Sequence, residues 1–270
     1  MPLAVCATPI GNLEDVTLRV LRELAEADLV LCEDTRHTKG LLDRHAIAAK
    51  LLSYHQHNEA QRTAELLPRL EAGERIALVS DAGLPGVNDP GARLIAAALE
   101  TGIPVTVLPG PSAVETALVA SGLVGERFQF LGYLPRGEKA RAALWSELAG
   151  WPHPAVAFES PQRLPATLRS LAAALPDRTV AVCRELTKRY EEVVRGTPAE
   201  LAARFAEPPK GEITLVVGAG EVEQAESGDA LDAVVELVAA GVPRRQAADV
   251  VARLARVSRN TLYAESLKSR

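Results

Sequence analysis

The chain has 270 residues, 47% of them hydrophobic and 24% charged, with a formal net charge of −5. That balance excludes a disordered chain and leaves room for one large core or two modest ones, while the net negative charge argues against a protein that coats nucleic acid with its whole surface. No apolar run reaches the length of a bilayer span, and the start Met1-Pro2-Leu3-Ala4-Val5-Cys6 carries no basic region, so it reads as a first strand rather than a signal peptide.

Short apolar runs follow one another along the chain at residues 3–7, 28–32, 50–54, 75–80, 105–108, 128–133, 155–159, 178–183 and 213–217. Between them lie segments of helical period, at 17–27, 58–72, 92–101, 112–121 and 161–175. This alternation predicts layered α/β architecture. Pro109-Gly110-Pro111 and the Ser121–Gly125 stretch mark a first boundary, and Gly218-Ala219-Gly220 a second. The expected division is 1–115, 116–220, and a 221–270 segment that begins as an acidic linker. Cys6, Cys32 and Cys183 sit inside or at the ends of apolar runs without metal-ligand spacing, the pattern of buried, reduced thiols in the cytoplasm.

Four loops stand out because each directly follows an apolar run, where open α/β sheets bind ligands. They are residues 8–15, residues 33–38 (Glu33-Asp34-Thr35-Arg36-His37-Thr38), residues 80–91 and residues 108–113. Gly83, Gly86 and Gly91 have neither the spacing of a dinucleotide fingerprint nor the Lys-Ser/Thr ending of a phosphate loop. Any one of these loops is also what ordinary turn chemistry produces; four at the strand ends of one sheet favour a ligand site. His55-Gln56-His57 has no third ligand nearby and reads as loop, so no metal site is expected.

At this point a family becomes visible. Ala7-Thr8-Pro9-Ile10-Gly11-Asn12-Leu13, Glu33-Asp34-Thr35-Arg36-His37-Thr38, Ser80-Asp81-Ala82-Gly83-Leu84-Pro85, Asp89-Pro90-Gly91 and Pro109-Gly110-Pro111-Ser112-Ala113 are the first matching segments. Phe130-Leu131-Gly132-Tyr133-Leu134-Pro135, Phe158-Glu159-Ser160-Pro161-Gln162-Arg163-Leu164, Arg184-Glu185-Leu186-Thr187-Lys188 and Lys210-Gly211-Glu212 continue the match. Over essentially its whole length the chain resembles the tetrapyrrole methylases, in the branch that 2′-O-methylates a cytidine ribose of 16S rRNA. It departs from the pattern at Gly86-Val87-Asn88, where a larger or more polar residue and a serine before Asp89 are expected.

The resemblance implies two consecutive α/β domains with a cleft between them, a homodimer, and S-adenosylmethionine as methyl donor. It places the donor against Asp81, Ala82, Gly83 and Val87 from the first domain, and against Ser112 and Ala113 at a helix start. Leu186 and Thr214 are the second-domain contacts it suggests. Glycine permits close backbone approach, and free N–H groups at a helix start suit the donor's carboxylate. Methyl transfer to a nearly unionised hydroxyl calls for alignment and for a base or a cation. Glu33, Asp34, Arg36, His37, Glu159, Arg163, Glu185 and Lys188 are the candidates, with Glu33 or Glu185 favoured as base and Arg36 or Lys188 for phosphate or alkoxide contact. Each of these is equally readable as a structural ion pair or cap.

The tail is a separate electrostatic object. Residues 221–240 carry six acids and no base, whereas 241–270 carry seven bases against two acids. Residues 244–254 read as an amphipathic helix with Ala248, Val251 and Ala255 on its apolar side, and Ser258 as the cap of a second helix. The local charge of this small helical segment points to contact with 16S rRNA or the small subunit through Arg244, Arg245, Arg256 and Arg259; a helical pair closing the dimer is the alternative. Two other functions remain open: methylation of a tetrapyrrole or other small substrate, which has no need of a basic tail, and a non-catalytic helix-turn-helix regulator with a ligand-sensing α/β body.

Overall fold

The computed structural model describes residues 2–220, 227–255 and 257–268. The chain forms two compact units, one of Met1–Ala149 with His153–Ala219 and one of Gly150–Pro152 with Gly220–Arg270.

The first unit opens with β1 (Leu3–Cys6), α1 (Leu18–Glu26), β2 (Leu29–Cys32), α2 (Thr35–Arg44), β3 (Leu51–Ser53), α3 (Glu59–Glu71), β4 (Ile76–Val79), α4 (Ala92–Glu100) and β5 (Val105–Leu108). The five strands pair in the order β3-β2-β4-β1-β5, all parallel. Parallel strands need crossovers, which cover both faces and bury both sets of side chains. Leu3, Val5, Leu29, Leu31, Ile76 and Leu78 accordingly point to one core with Leu66 and Leu70 of α3 and Leu94 of α4. Ala4, Cys6, Val30, Cys32, Ala77 and Val79 point to the other, with Val20 and Leu24 of α1 and Leu41 and Leu42 of α2.

The chain continues with α5 (Ala113–Ser121), β6 (Gln129–Tyr133), α6 (Glu138–Ala149), β7 (Ala155–Glu159), α7 (Leu164–Ala174), β8 (Val180–Arg184), β9 (Glu192–Gly196), α8 (Pro198–Arg204) and β10 (Ile213–Val217). These strands form a second sheet in the order β6-β7-β10-β8-β9, in which only β6 and β7 run parallel. Although α5 leaves the first sheet at β5, it packs on the second: Val114, Ala117 and Leu118 meet Val156, Ala181, Cys183 and Val216. Cys6, Cys32 and Cys183 are all free and buried.

All nine apolar runs became strands. Helices α6 and α8 lie in stretches where no helical segment was named, and two further elements depart from the reading of the sequence in an instructive way. Residues 33–38, taken as a loop, turn into α2 already at Thr35, because Asp34 caps it by accepting the Arg36 N–H at 2.8 Å. Strand β9 was not anticipated; it is a charged edge strand with one neighbour, and such strands lack a hydrophobic signature.

The second unit contains α9 (Ser227–Ala239), α10 (Arg244–Ala255) and α11 (Arg259–Ser266). Val234, Ala247, Ala248, Val251 and Leu262 form its core. Ser258 caps α11 through its hydroxyl and the Thr261 N–H. Of the expected acidic linker, residues 221–226 lie outside the described residues, and the remainder is the helix α9.

Candidate functional site

The loops after β1 and β4 meet side by side because those strands are neighbours. Thr8 and Gly83 exchange backbone hydrogen bonds, N to O, at 2.8 and 3.0 Å. The Thr8 hydroxyl donates to the Ser80 carbonyl at 2.9 Å. Gly83 has φ +77°, a conformation that side chains resist, so the loop backbone itself forms a surface here. Across the same strand ends, the loop after β5 reaches α5. Ser112 stands at the N-cap of α5 without capping it, since its hydroxyl bonds the Glu115 carboxylate instead. The first-turn N–H groups of α5 thus have no side-chain cap.

A cleft of about 1160 Å³ opens at these loops. Its walls include Asp81, Ala82, Gly83 and Val87 from the loop after β4, Ser112 and Ala113 from the start of α5, Leu186 from the turn after β8, and Thr214 from β10. All eight positions that the sequence suggested for the donor therefore face one space, together with Glu33. Absent from that lining are Arg36, Glu185 and Lys188. A smaller cavity of about 810 Å³, between α3 and α4, shares Glu33, Asn88 and Asp89 with the cleft.

The cleft is acidic. Burial and the neighbouring Asp81 carboxylate raise the Glu33 pKa, with His55 opposing. Asp89 is pushed up to about 6 by burial and by the charges of Glu33 and Asp81. A cluster of like charges in a partly dry site holds protons more tightly, which makes better bases and welcomes a cation. In sequence Asp89 is one turn carboxylate among many, and only the fold brings it beside Glu33.

Asp34, Arg36, Glu159, Arg163, Glu185 and Lys188 have structural partners. Asp34 holds the exposed Arg36 guanidinium at 2.8 Å, and that bond keeps the Asp34 pKa at about 2. Glu185 accepts the Glu212 N–H at 3.0 Å and the Lys188 ammonium at 3.0 Å, and these bonds, the backbone one foremost, lower its pKa. Lys188 also pairs with Glu212 at 3.1 Å; burial works against its charge, but the two carboxylates outweigh that and raise its pKa. Glu159 is buried and saturated: it accepts the Ser160 N–H at 2.6 Å, the Arg163 guanidinium at 2.7 Å and the Thr167 hydroxyl at 2.5 Å. Among the described residues no group of three or more His, Cys, Asp or Glu is placed to hold a metal ion.

In the second unit, Arg244 bonds the Ser266 carbonyl and Arg259 pairs with Asp249 at 2.5 Å. Arg245 is exposed, and so is Arg253, which the sequence reading counted only as charge. Arg256 lies outside the described residues. No helix among the described residues is long and apolar enough to cross a membrane.

Comparison with known proteins adds four findings. The family model described as Tetrapyrrole (Corrin/Porphyrin) Methylases matches residues 2–202. A protein of Mesorhizobium japonicum named Ribosomal RNA small subunit methyltransferase I is 42% identical over 98% of this chain and 91% of its own length. One of Thermotoga maritima with the same name is 44% identical over 81% of this chain and 99% of its own length, so a share of this chain about the size of the second unit has no counterpart there. Among solved structures, the methyltransferase CobJ superposes with a TM-score of 0.62 at 20% identity, covering 80% of this chain and 93% of that one.

Proposed function

The chain belongs to the tetrapyrrole methylase family and, within it, to the ribosomal RNA small subunit methyltransferases I, and from that premise we propose that it methylates the 2′-hydroxyl of a cytidine ribose in 16S rRNA. S-adenosylmethionine is the donor, and the reaction takes place in the cytoplasm. The observation that carries this reading is the convergence of the eight expected donor contacts with Glu33 on one cleft.

The residues present fit such a donor. Its carboxylate suits the uncapped first turn of α5, where peptide dipoles point their positive ends outward. Its cationic sulfonium suits the carboxylates of Glu33, Asp81 and Asp89. Leu186, in the turn after β8, and Thr214, on β10, would also hold it. When bound, the donor supplies an electrophilic methyl group on sulfur. Glu33 would take the proton that the ribose hydroxyl loses as its oxygen bonds the methyl carbon and the carbon–sulfur bond breaks, leaving S-adenosylhomocysteine, and its raised pKa strengthens it for that task. Glu185, tied to Lys188 and to the Glu212 N–H, is left to shape the turn rather than to accept a proton. Arg36 and Lys188 lie off the cleft lining and act as phosphate contacts rather than at the ribose oxygen.

The second unit supplies affinity for RNA, through Arg245 and Arg253 more than through the internally paired Arg244 and Arg259. The active form is a homodimer, which mass measurement in solution would establish. The test of the activity is transfer of labelled methyl to small ribosomal subunits lacking the modification, with deproteinised 16S rRNA and a tetrapyrrole as alternative acceptors. Transfer to subunits or rRNA supports the reading, and transfer to the tetrapyrrole alone would replace it with the small-substrate function.

A further inference from the structure

Aromatic residues make up only 4% of the chain, which has four phenylalanines and four tyrosines. Three of those phenylalanines, Phe128, Phe130 and Phe158, together with Tyr133, line the one cleft described above. Phe158 touches both neighbours edge-to-face, at 5.1 Å from Phe130 and 5.5 Å from Tyr133 between ring centroids. The arrangement is not what strand alternation gives. Phe130 and Tyr133 are three residues apart on β6, so a regular strand would send them to opposite faces. The register of β6 against β7 shifts between Phe130 and Tyr133, with Gly132 at φ +66°. A bulge of this kind re-aims the side chain that follows it, and here it brings Tyr133 to the cleft opposite Phe158. An added Cβ on Gly132 would lie 3.0 Å from the Asn88 side chain, so the bulge sits tight against the loop after β4.

Phe130 and Phe158 pack partly on the core of the second sheet, whereas Tyr133 is 65% exposed and Phe128 38%. These two do not stand singly, as scattered surface rings do, but continue the partly buried pair along one cleft. Nothing in the donor contacts reasoned above uses them. The carboxylates of the cleft repel phosphates, whereas its flat, uncharged rings attract an unstacked base, because stacking needs only a π-face. Chemistry on a nucleotide also requires that it be drawn out of its helix, and an aromatic surface compensates the stacking it loses.

We propose that Phe128, Phe130, Tyr133 and Phe158 form a stacking wall for the base of the acceptor nucleotide, with Tyr133 as the ring in direct contact. The wall is a subsite of the cleft and rests on the rRNA methyltransferase reading for its biological acceptor, but the stacking itself is measurable without methyl transfer. The probe is a single-stranded RNA oligonucleotide carrying 2-aminopurine, whose fluorescence is quenched on stacking, titrated with the full-length protein in the presence of S-adenosylhomocysteine. Wild type should quench it saturably. Tyr133→Ala should weaken the apparent affinity roughly tenfold or more, the size of one base–aromatic stack, while Tyr133→Phe retains most of it. Tyr190→Ala, an exposed ring outside the cleft, serves as the control that changes nothing. S-adenosylhomocysteine affinity should be the same in Tyr133→Ala as in wild type, which also shows the variant to be folded.

No quenching by wild type, or equal quenching by Tyr133→Ala, overturns the proposal. A parallel loss of S-adenosylhomocysteine affinity overturns it as well, by assigning the wall to the donor's adenine. If Tyr133-dependent quenching is found but small subunits are not methylated, the wall stands and the proposed activity falls.

Discussion

Replacing Asp89 with asparagine should make the protein more stable and less active, and the two effects have one cause. The carboxyl is raised from 3.8 to about 6 by burial and by the charges of Glu33 and Asp81. A raised carboxyl pKa means that the folded state binds more protons than the unfolded state between those two values, so stability falls as pH rises through that window. Two units at about 1.4 kcal/mol each give ~3 kcal/mol, and water reaching the partly exposed side chain reduces this to about 2 kcal/mol. Asparagine keeps the shape without the charge. The variant should match wild type near pH 4 and exceed it by about 2 kcal/mol above pH 7, a rise of several degrees in melting temperature. Urea unfolding at a series of pH values reads the difference directly. A gap that does not grow between pH 4 and 7, or a variant less stable than wild type at pH 8, would refute the electrostatic argument.

Other expectations follow from the same geometry. S-adenosylmethionine carries a positive sulfur and S-adenosylhomocysteine does not, so the affinity of the first relative to the second should rise as pH passes through about 6, where Asp89 ionises; calorimetry at pH 5 and 8 decides, and a constant ratio would move the sulfur away from these carboxylates. Glu33→Gln should lower turnover by about 10²-fold or more with little change in melting temperature, whereas Glu185→Gln, which weakens the bonds to Lys188 and the Glu212 N–H, should lower stability more than turnover. Ser112→Tyr puts a ring at the uncapped start of α5 and should weaken S-adenosylhomocysteine binding about tenfold while leaving the fold intact, since the side chain is not in a core. Deleting residues 241–270 should reduce RNA affinity and flatten its salt dependence while sparing donor binding; equal salt slopes with a change of oligomeric mass would give the tail a structural role.

Much of this architecture is readable from residue order because local and global signals agree. Leu3, Val5, Ile76 and Leu78 alternate with Ala4, Cys6, Ala77 and Val79 in uninterrupted apolar runs, which is what a parallel strand covered on both faces requires. Charged segments were harder. Glu192-Val193-Val194-Arg195-Gly196 forms a strand only because β8 offers it a partner, and Thr35–Arg44 forms a helix because Asp34 turns its side chain back on the chain. The loops that line the cleft were legible since glycine and proline mark where a backbone must come close. The division of labour among the carboxylates was not, because a pKa depends on neighbours that the sequence places far apart. Glu33 and Asp89 meet through the sheet order, and Glu185 meets the Glu212 N–H across β8 and β10. Tyr133 was hidden for a similar reason: alternation assigns it to the wrong face until the bulge at Gly132 is seen.

On the proposed reading, this cleft directs a methyl group to a ribose oxygen of 16S rRNA. The direct measurement is to methylate small subunits that lack the modification, digest the RNA to nucleosides, and identify the labelled nucleoside by mass spectrometry. The account predicts 2′-O-methylcytidine from a single site, formed by wild type and sharply reduced with Glu33→Gln. A methyl group on a base, or no labelled nucleoside at all from a protein that binds S-adenosylhomocysteine, would contradict it.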